Sequence, residues 1–229
     1  MMDPLILCIE SSDRFCSVAL FEGNRLLAAE KAAAPLAHAE RLAPMVDNIC
    51  ADFGRTPDAV ALSKGPGSYT GLRIGASMAK GLCFGWNVPL LAVDTLQALA
   101  WNMREEAAWS APCLLVPMTD ARRMEVYTAV YESQELSTVI PVGPKILESD
   151  DFHDLAVDHR LVFAGSGAAK WQTLCRWSEE AIFLTELLPD ATGMGALAAD
   201  AFRNGAFADV AYFEPFYLKQ FLPGKGSVI

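Results

Sequence analysis

Apolar positions along this chain fall first into short continuous runs and then into helical stripes. Leu5–Glu10 is a continuous apolar run closed by an acid, and it reads as a buried strand. Residues 15–21 and Arg25–Lys31 read as two more, with Glu22-Gly23-Asn24 supplying the turn between them, so an antiparallel meander is predicted. From residue 38 to 53, Leu42, Met45, Val46 and Ile49 recur at helical spacing and Gly54 stops the pattern. Residues 58–63 give a fourth strand, Tyr69–Trp86 a second helix, residues 89–93 a fifth strand and residues 95–104 a third helix. The predicted order is βββαβαβα.

A polar, alanine-rich break over 104–112 then marks the expected domain boundary, with residues 1–104 as a first lobe and 105–229 as a second lobe with a tail. Beyond it, residues 113–116 read as a strand, 120–123 as a turn and 124–131 as an alternating strand. A short strand near Ile140 and a short helix over 150–156 follow. Leu161–Ala164 is a strand running into Gly165-Ser166-Gly167, with helices expected over 168–177 and 192–204. The tail from 210 to 229 is expected to pack back through Tyr212, Phe213, Phe216 and Tyr217 and then fray.

The second helix is the most unusual stretch. Gly65-Pro66-Gly67-Ser68 makes a sharp turn ending in a good helix cap, and behind it Gly71, Gly75 and Ala79 recur every four residues. A helical glycine costs about 1 kcal/mol against alanine, so the stripe needs a reason, of which close helix–helix contact is the simplest. A nucleotide loop is a poor alternative. In the Walker spacing counted from Gly65, Thr70 stands where glycine is required and Gly71 where lysine is required; the dinucleotide fingerprint also breaks at Thr70.

Composition narrows the setting. With 52% hydrophobic residues in 229 the chain can bury a large core, and no apolar run approaches the roughly 20 residues of a membrane span. The N-terminus has no basic segment of the kind that opens a secretory signal, so a cytoplasmic protein is expected. Twenty-eight acidic against 18 basic residues leave a net charge of -10, which repels a polyanion; any nucleic-acid role should be indirect, through a partner that supplies basic surface. The six cysteines are scattered singly among apolar neighbours and read as buried reduced thiols. Ser11, Ser12 and Ser68 have no histidine nearby in sequence, and Asp120 and Glu125 flank Arg122 and Arg123 in a way that suggests surface ion pairs.

Taken together, ILCIESS, FCSVALFEG, HAERLAPMVDNI, SKGPGSYTGLRIGASMAKGLCFGWNVPLLAVDTLQALA and DARRMEVYTAVY resemble the bacterial TsaB (YeaZ) family, closely in the first half and weakly in the second. The resemblance implies an α/β actin-like ATPase fold (ASKHA, ribonuclease H-like) of two βββαβα-type lobes, the second degenerate. It also implies a non-catalytic scaffold or activator subunit that pairs with its catalytic paralogue TsaD, and with the ATPase TsaE, to make N6-threonylcarbamoyladenosine at position 37 of tRNAs reading ANN codons.

Residue by residue, the paralogue's metal-binding His-x-x-x-His positions fall here on Thr95 and Leu99, which cannot replace it, and His38, His153 and His159 stand elsewhere. No metal and no cofactor are expected. The turns after the first strand of each half, Glu10-Ser11-Ser12-Asp13-Arg14 and Pro117-Met118-Thr119-Asp120, lack the glycines of a phosphate cradle. Gly165-Ser166-Gly167 resembles the adenosine-side motif and leaves weak nucleotide binding open. The first two helices are expected to meet the paralogue through Leu42, Met45, Ile49, Gly71, Leu72, Gly75, Met78, Ala79 and Leu82, with a homodimer when the partner is absent. On that placement a bulky residue at Gly75 would block pairing and leave the monomer folded. The alternatives are an active ATP-dependent enzyme of the superfamily or a peptidase.

Overall fold

The computed structural model describes residues 3–51, 53–106 and 112–217. Strands β1 (Leu5–Glu10), β2 (Ser17–Glu22) and β3 (Arg25–Lys31) form the antiparallel meander, and β4 (Ala59–Ser63) and β5 (Leu90–Val93) extend it in parallel on the other side of β1. Two helices separate these strands, α1 (His38–Ala51) and α2 (Tyr69–Trp86), and α3 (Thr95–Glu106) leads out of the sheet. The alternation within β1 divides the core. Leu5, Leu7 and Ile9 face α1 and α2, whereas Ile6 and Cys8 face the opposite side of the sheet. A strand covered on both faces has to be apolar at nearly every position, which is why LILCI carries no polar alternation.

The second sheet repeats this plan. Strands β6 (Leu114–Asp120), β7 (Glu125–Glu132), β8 (Thr138–Ile146), β9 (Leu161–Ala164) and β10 (Ile182–Leu184) lie in the order β10-β9-β6-β7-β8, matching β5-β4-β1-β2-β3 of the first. Its helices are reduced: α4 (His153–Ala156) has 4 residues and α5 (Ala168–Leu174) has 7, where α1 and α2 have 14 and 18. Helix α3 fills the space between the sheets. Ala98 packs into the first, and Leu96, Leu99, Ala100 and Met103 pack against Leu115, Val162 and Ala164 of the second.

Several boundaries differ from those read in the sequence. Helix α3 runs two residues further, to Glu106, and part of the expected break falls on 107–111, outside the described residues. Strand β6 continues past Pro117 to Asp120, because Pro117 lies where the ladder to β7 is interrupted between Leu115 and Met118 and no donor is missed. The helix expected over 168–177 stops at Leu174, and the one over 192–204 divides into a 3-10 turn, Ala191–Met194, and α6 (Gly195–Arg203).

After β10 the chain returns to the first lobe. Helix α6 covers the outer face of the first sheet, and β11 (Phe207–Ala208) pairs antiparallel with β5. Of the tail aromatics, Phe213 packs on the first core, the Phe216 amide donates to the Lys64 carbonyl at 2.6 Å, and Tyr217 packs on Tyr69 with ring centroids 5.1 Å apart. Tyr212 is exposed, and the stretch expected to fray, 218–229, lies outside the described residues.

Candidate functional site

Helix α2 begins where the Ser68 hydroxyl accepts from the Gly71 amide at 3.3 Å and ends on Asn87 in the left-handed region. Its small-residue stripe faces inward. A Cβ on Gly71 would lie 2.1 Å from the Ser11 carbonyl oxygen, and one on Gly75 would lie 2.1 Å from Ser11 Oγ, so the glycines let the helix close on the end of β1. Leu42, Met45, Ile49, Leu72 and Ala79 are likewise buried within the first lobe. This corrects the expected partner face. The stripe is spent on the lobe's own strand-to-helix approach, and a bulky residue at Gly75 would disturb the fold before it disturbed any partner.

Met78 and Leu82 are half-buried, packing on the first core with one side and reaching the outer surface with the other, beside features that sequence reasoning passed over. Together with Ala39 of α1 and Arg73, Ile74, Ser77 and Gly81 of α2 they line an open groove of about 560 Å³. Phe84 stands 87% exposed beyond it, with Gly81 and Gly85 bordering open space. At the other end Arg73 lies over the Tyr69 ring at 4.5 Å and hydrogen-bonds Tyr217. A phenylalanine flanked by helical glycines was the available signal.

Between the lobes lies a seam of buried polar groups. Glu10, fully buried at the end of β1, accepts from the Ser12 amide at 2.5 Å and the Ser63 hydroxyl at 3.0 Å through one oxygen; its second oxygen has no partner among the described residues. Burial pushes its carboxyl up to about 7, and the bonds from Ser12 and Ser63 offset only part of that. Asp13 follows. Its carboxylate accepts from the Arg14 amide at 2.7 Å and from the Ser166 hydroxyl of the other lobe at 2.6 Å, and its carbonyl bonds the His38 ring at 2.9 Å.

The remaining candidates line the same seam. The Gly165 amide donates to Leu187 and the Gly167 amide to Met118, so both are already committed within the lobe; neither is left to cradle a phosphate. Ser166 is engaged with Asp13 and receives the Asp120 amide at 3.1 Å. Thr95 and Leu99, at the metal-pair positions, are buried in the seam and the second core. Leucine offers no ligand atom, and no group of three or more His, Cys, Asp or Glu among the described residues could hold a metal ion. Asp94, just before, caps α3 by accepting from the Leu96 and Gln97 amides, with burial raising its carboxyl.

Two lobes of one strand order, tied by the Asp13–Ser166 hydrogen bond, make this a two-lobe mixed α/β protein with a repeated sheet plan. Comparison with known proteins narrows this. The family described as "TsaD: tRNA N6-adenosine threonylcarbamoyltransferase" matches residues 31–216. The chain is 32% identical to the tRNA threonylcarbamoyladenosine biosynthesis protein TsaB of Escherichia coli (strain K12), over 96% of this chain and 99% of that protein. It is 37% identical to TsaB of Haemophilus influenzae, over 98% of this chain and the whole of the relative. Among solved structures, YeaZ from Pseudomonas aeruginosa superposes with a TM-score of 0.76 at 29% identity, covering 94% of this chain and 100% of that one. The chain belongs to the TsaB (YeaZ) family of tRNA threonylcarbamoyladenosine biosynthesis proteins.

Proposed function

We propose that this chain is the non-catalytic scaffold and activator subunit of the threonylcarbamoyladenosine machinery, pairing with TsaD, with TsaE joining, for modification of adenosine 37 in tRNAs reading ANN codons in the cytoplasm. The observation that carries this reading is the outer face of α2. An apolar groove through Ile74, Met78 and Leu82, beside an exposed Phe84 and two glycines that admit close backbone approach, is costly to leave in water. A related helix pair on a paralogue would cover it as a four-helix contact. Without the paralogue, a second copy would cover it and give a homodimer. The committed Gly165 and Gly167 amides and the residues at the metal-pair positions support a role other than catalysis.

Activation requires that the chain bind the competent conformation of its partner better than the incompetent one. The test is reconstitution with purified TsaD, TsaE, threonylcarbamoyl-adenylate and tRNA, comparing the wild-type chain with Met78→Asp and Phe84→Asp. Phe84 is exposed whereas Met78 is half-buried at the edge of the first core, so Phe84→Asp should keep its melting temperature and Met78→Asp should lose some of it, while affinity for TsaD falls at least about thirtyfold in both, the loss of a central interface anchor. Modified adenosine should fall in parallel. Wild-type pairing by both variants would sink the placement, and product formed equally well without this chain would sink the function.

A further inference from the structure

Arginine usage on this chain is uneven. Arg25, Arg41, Arg55, Arg104, Arg176 and Arg203 each pair with a carboxylate, and Arg73 is held by Tyr69 and Tyr217. Among the described residues, the guanidinium groups of Arg14, Arg122, Arg123 and Arg160 have neither an ion pair nor a hydrogen bond. In a chain of net charge -10 an exposed arginine without an acid is left open to an anionic partner. All of these except Arg160 stand on two turns that meet across the mouth of the inter-lobe seam.

A continuous hydrogen-bond path joins those turns. The Arg14 amide donates to the Asp13 carboxylate at 2.7 Å, Ser166 Oγ donates to the same carboxylate at 2.6 Å, the Asp120 amide donates to Ser166 Oγ at 3.1 Å, and the Arg122 amide donates to the Asp120 carboxylate at 2.7 Å. The path also occupies nearby acids. Asp13 serves backbone and hydroxyl, and Asp120 is neutralised by Lys170 at 2.5 Å. Arg122 and Arg123 sit in succession at φ 69° and 53°, a conformation few non-glycine residues adopt, fixed by Lys170 on the Arg123 carbonyl at 2.8 Å. Both side chains are exposed. Next to Arg14, Phe15 is half-buried, with the Arg14 guanidinium and Lys31 Nζ at 6.0 Å and 5.9 Å from its ring centre.

We infer that Arg14, Phe15, Arg122 and Arg123 form a contact for an unpaired stretch of RNA in the assembled complex, the guanidinium groups taking phosphodiesters and the ring taking a base. Guanidinium groups alone would suit any phosphate; an aromatic ring beside them suits a nucleobase and favours single-stranded RNA. The inference rests on the function proposed above. The chain's overall negative charge makes this a local contact that needs the partner to bring the RNA in.

The experiment measures binding of an unmodified tRNA transcript to the wild-type chain assembled with TsaD, by fluorescence anisotropy across a salt series. Arg122→Asn with Arg123→Asn removes both charges while supplying a residue that tolerates the left-handed backbone. Affinity should fall at least about tenfold and the slope of log K against log salt should shrink by about 1.4, the single-strand value for two phosphate contacts. Phe15→Ala should weaken binding with the slope unchanged, and Arg160→Glu should change neither. Wild-type affinity and slope in the double variant would overturn the inference. So would loss of ATP or pyrophosphate binding with tRNA binding intact, which would assign the arginines to a free phosphate. Co-elution of each chain with TsaD is recorded on the same samples, so failure of the wild-type chain to assemble counts against the proposed function instead.

Discussion

Gly71 and Gly75 look alike in sequence and meet different atoms. At Gly71 an added Cβ would strike a backbone oxygen of Ser11 that cannot turn aside, whereas at Gly75 it would strike Ser11 Oγ, with Ser11 Cβ and Leu62 Cδ1 each at 3.1 Å. Alanine gains about 1 kcal/mol of helix propensity at either site, and overpacking costs about 1–3 kcal/mol or more when the obstacle is rigid. Gly71→Ala should therefore destabilise by at least about 2 kcal/mol net and Gly75→Ala by roughly 1 or less. Ser11→Ala should rescue the second and leave the first unchanged. Denaturant titration of the two single and two double variants checks this, and equal rescue of both would show that the helix closes on β1 in another way.

Glu10 gives a pH signature at the same scale. Its carboxyl titrates near 7 in the folded chain against an ordinary 4.5, so the folded state keeps a proton that the unfolded state has released. The stabilisation is fully present below about pH 4.5 and is lost as pH rises through about 7, at about 1.4 kcal/mol per pH unit within that window. Glu10→Gln keeps the shape without the charge. Its urea midpoint should fall less than that of the wild type over the window, and parallel profiles would mean that other groups dominate.

At the scale of the element, legibility followed length and punctuation. The bounds of α2 match those read from the chain because a serine cap opens a long helical pattern, and β1 matches because its apolar run is bounded on both sides. Strand β10 has three half-buried residues and β11 has only two residues, one of them the exposed Phe207, too short to carry a period; each exists because β9 or β5 offers it an edge. The stripes of α2 failed for another reason. Gly71, Gly75 and Ala79 announce that some backbone comes close without saying which, and Ile74, Met78 and Leu82 make a second apolar stripe one step round the helix. Size was the usable clue: small residues let the helix settle on its own sheet, leaving Ile74, Met78 and Leu82 half-buried along its edge, where they line the groove.

For the whole molecule, the βββαβα order of the first half announced the repeated lobe and the tail aromatics announced a chain that packs back, but the return over residues 190–208 gave no local signal. It is fixed by contacts far apart in sequence: the Ala191 amide on Ser17 Oγ at 2.9 Å, Lys31 with Asp190 at 3.3 Å, and β11 on β5. The two lobes are thus tied by the returning chain, by α3 and by the Asp13–Ser166 bond. That last tie can be weighed by itself. A hydrogen bond to a charged, partly buried carboxylate contributes about 1.5–3 kcal/mol, and a double-mutant cycle isolates it from the other bonds each residue makes. Asp13→Ala and Ser166→Ala should each destabilise the chain, and the double variant should cost about 1.5 kcal/mol less than their sum. The same cycle read through tRNA binding by the complex should also couple, because this bond holds the Arg14 turn against the Arg122–Arg123 turn. Strictly additive stabilities would leave the packing of α3 and the returning chain to fix the lobes, with the arginine turns free to move relative to each other.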